Sequence, residues 1–68
     1  MLKEALENVL PYISNISEVK KFVNENEGKN MEEIRKLLEE AIESSQGTLK
    51  TDFKILFNEL EKIINKSV

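Results

Sequence analysis

The chain contains neither cysteine nor histidine. No disulfide can staple the fold, and the ligand sets of zinc fingers and Glu-x-x-His di-iron bundles are missing. The usual base near neutral pH and the thiolate nucleophile are missing with them. Tryptophan is absent too, and there is one proline, Pro11, and two glycines, Gly28 and Gly47. Two glycines so far apart cannot build a glycine-rich phosphate loop. No apolar run approaches the roughly 20 residues that cross a bilayer. The opening Met1–Glu7 stretch already carries Glu4 and Glu7 and leads into no long apolar core. That is not a secretory signal pattern, so a cytoplasmic protein with no membrane association is expected.

Carboxylates are plentiful, but their spacing does not suggest catalysis. Glu4 with Glu7, Glu39 with Glu43, and Glu40 with Glu43 share helix faces, all on polar arcs. A general acid needs an apolar setting that raises its pKa, and these positions offer none. The polar run Asn24–Asn30 resembles a calcium loop only superficially. With Gly28 at the loop glycine, the first ligand position falls on Val23 and the last on Ile34. The expectation is no metal, no cofactor and no enzyme activity.

What the sequence does contain is helical periodicity. In the last segment Leu49, Phe53, Leu56, Leu60 and Ile63 recur at steps of four and three, widened by Phe57 and Ile64. At 100° per residue they fill an arc of about 120°, a one-sided packing face. Thr48 is a plausible N-cap, so this helix is expected over about 49–65. In the middle segment Asn30 and Glu33 stand at capping-box spacing. Met31, Ile34, Leu38, Ala41 and Ile42 then form a stripe with Leu37 at its edge, and Gly47 is the natural stop. That helix is expected over about 31–45. It also offers three i,i+4 ion pairs: Glu32–Lys36, Arg35–Glu39 and Lys36–Glu40.

The first segment is ambiguous. Leu2, Leu6, Val9, Ile13 and Ile16 keep a regular rhythm straight across Pro11, and Val19 and Val23 continue it after a small phase shift. Proline has no amide hydrogen, and its ring clashes with the carbonyl four residues back, here that of Glu7. Either a long helix over about 2–25 kinks at Pro11, or it breaks and a second helix begins near Asn15, where Glu18 could complete a cap box. Short polar connections force antiparallel neighbours. The reading is one all-α domain over residues 1–68. It is a small antiparallel three-helix bundle with its first helix kinked or broken near Pro11, and a complete break would make it a four-helix array.

A formal charge of −3 argues against wholesale binding of nucleic acid. The leading expectation is a small non-catalytic regulator, inhibitor or accessory subunit that binds another protein. Phe22, Leu37 and Ile55 are candidate apolar contacts off the main stripes, and Glu39, Glu40 and Glu43 are candidate acidic rim contacts. A domain this short buries only about 60% of its unfolded surface, which favours association, so a homodimer is also expected. The alternative is a small DNA-binding regulator built on the last two helices as a helix–turn–helix-like unit. Lys50, Lys54, Lys62 and Lys66 would contact phosphates, because residues 47–68 carry four lysines against three acids.

Overall fold

The computed structural model describes residues 1–66. It is an all-α bundle of four helices: α1 (Leu2–Val9), α2 (Ile16–Asn26), α3 (Met31–Ser44) and α4 (Gly47–Lys66). A 3-10 turn, Leu10–Tyr12, joins α1 to α2. The expected three-helix bundle with one long first helix is therefore corrected. Pro11 breaks that helix outright.

The backbone shows how. Val9 leaves the helical region at φ −110°, ψ 0°, and Pro11 sits inside the tight turn, where its missing amide costs nothing. The Ile13 amide donates to the Leu10 carbonyl at 3.1 Å, and Ile13 itself is extended. The break resets the helical phase. Ile13 is buried, Ile16 turns outward to 41% exposure, and Val19 and Val23 return to the core. An unbroken helix would have kept Ile16 in the stripe.

Of two other boundaries, one holds and one moves. Asn30 caps α3 as expected: its Oδ1 accepts from the Glu33 amide at 2.9 Å, and its amide group donates to the Glu33 carboxylate at 2.9 Å. Gly47, however, heads α4 instead of ending α3. Its φ of +62° lies in the left-handed region that disfavours any residue with a Cβ. The chain can thus turn from the extended Ser45 into α4 within a two-residue connection.

The longest helix, α4, is the central one. Helices α1 and α3 pack along it, and α2 packs on α1 and α4. Leu2, Val19, Val23, Leu38, Leu56 and Leu60 are essentially fully buried where these helices meet. Phe22 of α2 meets Phe53 of α4 edge-on, with ring centroids 5.3 Å apart at 64°. At the far end of α2, the buried Asn26 donates to the Phe22 carbonyl at 2.7 Å and accepts from the Lys29 ammonium at 2.9 Å. Among the described residues, no helix is long and apolar enough to cross a membrane.

Replacing Pro11 with alanine should not fuse α1 and α2, because tertiary contacts hold the corner. Far-UV circular dichroism should show unchanged helix content. Stability should fall by about 0.4–1 kcal/mol in denaturant titration, because alanine frees the unfolded chain.

Candidate functional site

The corner between α1 and α2 is held from across the bundle by one carboxylate. Asp52 of α4 is 1% exposed. One oxygen, Oδ2, accepts from the Asn15 amide at 2.7 Å and from the Asn15 side-chain amide at 3.0 Å. The Ser14 amide donates to both oxygens, at 3.1 and 3.2 Å. The Asn15 side chain also donates to Thr48 Oγ1 at 2.9 Å. Asn15 occupies the N-cap position of α2, yet its side chain makes no capping bond to its own helix. The expected Asn15–Glu18 box is replaced by a cap supplied from α4, and Thr48 serves this junction inside a helix that already began at Gly47.

Burial by itself pushes the Asp52 carboxyl pKa up. The donors from Ser14 and Asn15 outweigh that effect and leave it below the ordinary carboxylate value. A lowered folded-state pKa means that Asp52 contributes stability above its unfolded pKa of about 3.9, and that this is lost as pH falls through the folded value.

What the lock presents is apolar. Tyr12 is 71% exposed and Ile16 is 41% exposed, on either side of the bonded Ser14–Asn15 backbone. Both were missed as site candidates from the sequence. Ile16 fitted the unbroken rhythm, and Tyr12 stood out only as the single tyrosine. A signal for Asp52 was present: it precedes Leu56 and Leu60 at steps of four, a charge bordering an apolar face.

The residues singled out from the sequence fall in three different settings. Phe22 and Ile55 are partly buried and pack against the core. Leu37 is half-buried, beside Glu33 and Glu40 on the outer side of α3. Glu39, Glu40 and Glu43 are exposed. Of the lysines, Lys50 is half-buried and Lys54, Lys62 and Lys66 are exposed. Of the six protein-binding candidates, Leu37 and Glu40 line one hollow on α3.

The ion pairs expected along α3 do not form. Arg35 reaches across to Glu61 of α4 at 2.9 Å, and the other ion pair among the described residues joins the Met1 ammonium to Glu27. Glu39, Glu40 and Glu43 therefore carry uncompensated charge in the C-terminal half of α3, and the last turn of that helix holds no base. Acids at the negative end of a helix dipole are unfavourable, as is the like-charged i,i+4 pair Glu39–Glu43. This end of α3 lies three residues of chain from the start of α4, and the Asn15–Thr48 bond brings the α1–α2 corner to that same start. The exposed apolar corner and the acidic end of α3 thus share one end of the bundle. Among the described residues, no group of three or more acids forms a metal-binding cluster.

Asp52→Asn should destabilise the fold by about 1–3 kcal/mol near neutral pH, since one amide group cannot serve all four donor contacts. The gap between wild type and variant should narrow below about pH 4, where wild-type Asp52 loses its advantage. Denaturant titrations of both proteins across pH check the size and the sign.

No curated protein and no solved structure matches the chain. A family model does match, and it spans residues 1–65, nearly the whole helical bundle. The chain therefore belongs to the MJ1579 family.

Proposed function

We propose that this protein is a non-catalytic cytoplasmic regulator or accessory subunit that works by binding another protein through the α1–α2 corner. The observation that carries the reading is the exposed pair Tyr12 and Ile16 on a backbone tied down by Asp52. A tyrosine on a rigid support brings large contact area at little entropic cost, which is why such residues dominate binding energy at interfaces. Glu40 and Glu43 at the same end, with Glu39 and Leu37 further along α3, supply the rim. Their unpaired charge steers the corner toward a basic surface and raises the encounter rate more than the affinity. Phe22 and Ile55 support this surface from within instead of touching the partner.

The acids fit this reading because they cost the isolated protein stability. Glu43→Lys should raise stability by about 0.3–1 kcal/mol by reversing an adverse dipole contact. The same substitution should weaken partner binding, and the two effects are separable by thermal unfolding and by affinity measurement.

Affinity capture with the intact protein, compared with Tyr12→Ala/Ile16→Ser, tests the corner. A partner retained by wild type and lost with the folded variant supports the proposal. Equal retention by both refutes it. The expected homodimer is a special case in which a second copy occupies the corner. Light scattering across the micromolar range should then give twice the chain mass for wild type and the single-chain mass for the Tyr12→Ala/Ile16→Ser variant.

A further inference from the structure

The charges of α4 are sorted by face. Each of its three acids is turned to another helix: Asp52 to the α2 N-terminus, Glu59 to the Asn8 side chain at 3.0 Å, and Glu61 to Arg35. Of its four lysines, Lys54 and Lys62 are exposed on the outer side, Lys50 is half-buried, and Lys66 lies beside Glu4 and Glu59 toward α1. Among the described residues, none of Lys50, Lys54, Lys62 and Lys66 forms an ion pair. The near-neutral helix of the sequence thus turns its acids toward neighbouring helices and keeps Lys54 and Lys62 on its outward side.

The spacing gives that face a shape. Lys50, Lys54, Asn58, Lys62 and Lys66 follow one another at steps of four. Each step rises about 6 Å and drifts about 40° around the helix, so the row crosses the outer side of α4 obliquely over about 24 Å. Lys54, Asn58 and Lys62 sit near the centre of the side opposite the core, and all three are exposed. Thr51 and Asn65 border the row and are exposed as well. Every one of these side chains can donate a hydrogen bond, and lysine, threonine and asparagine are among the usual phosphate-contacting residues. The one large apolar side chain nearby, Ile55, packs against the core. A protein interface needs apolar anchors at its centre, and the single large apolar side chain on this face, Ile55, is half-buried against the core.

We propose that the lysine row of α4 binds the phosphate backbone of nucleic acid without reading its sequence. The mode differs from that of a helix–turn–helix: α4 lies across the backbone along its length and inserts no end into a groove. The face lacks arginine, the commonest reader of base edges, so affinity without sequence preference is expected. This inference does not depend on the protein-binding corner, which uses other residues.

Fluorescence anisotropy of the full chain with a labelled random-sequence duplex, and separately with a single strand, provides the test. Binding at low salt should fall with a log–log salt slope between about −2 and −4 on the duplex, and between about −1.5 and −3 on the single strand, as two to four phosphate contacts require. Lys54→Glu/Lys62→Glu should weaken it at least about tenfold. Lys20→Glu/Lys21→Glu, the same change of net charge on the exposed surface of α2, should leave it within about twofold, and both variants should melt like wild type. Absence of binding at low salt, or equal loss in the two variants, overturns the proposal. So does equal competition by polyglutamate at matched charge, which would identify an acidic protein as the ligand.

Discussion

The bundle depends on one buried carboxylate. Pro11 excludes a straight first helix, and the break at this position leaves the amides of Ser14 and Asn15 without helical partners. Buried or half-buried amides left unpaired are costly, and an isolated corner would fray. Asp52 satisfies both amides and the Asn15 side chain from a helix 37 positions further along the chain. The same contact fixes where α2 starts, and so which of its residues face the core. Phe22 can meet Phe53, and Val19 and Val23 can reach full burial, only with that phase.

This arrangement turns a local weakness into a surface. A proline break in a short helical protein tends to yield a mobile loop, with few contacts and solvent-exposed backbone bonds. Here the loop is pinned at its centre, and its two outward side chains, Tyr12 and Ile16, are held on a defined backbone. Preorganisation of this kind lowers the ordering cost that a flexible loop would incur on binding. The acidic end of α3 is placed nearby by the two-residue connection into α4, which Gly47 makes possible with its positive φ. Apolar contact and charge are therefore combined at one end of the molecule, while Lys54 and Lys62 occupy the outer side of the central helix.

Ion pairing reinforces this separation of charge. Arg35 had two candidate partners: Glu39 on its own helix, one turn away, and Glu61 on α4. The cross-helix pair wins, at 2.9 Å. It ties α3 to α4 and frees the acids of α3 at the same time. Glu61 is removed from the outer face of α4 by the same bond. One contact thus makes α3 more acidic in effect and α4 more basic. A protein with a net charge of −3 can carry a cationic face only through such sorting.

The sequence by itself determined the helical class, the α3 cap at Asn30, the apolar face of α4 and the absence of histidine and cysteine chemistry. These rest on local rules: side chains three and four apart share a face, and a capping oxygen reaches an amide three residues on. It left the Pro11 question open, because proline excludes a straight helix but does not choose between a kink and a break. Only the tertiary structure decided that, since the partner that stabilises the break, Asp52, lies in another helix. It also decided that Ile16 faces outward, that Phe22 and Ile55 pack partly buried against the core, and that Arg35 serves Glu61. In each case the controlling contact joins residues distant in the chain, which no local spacing rule can specify.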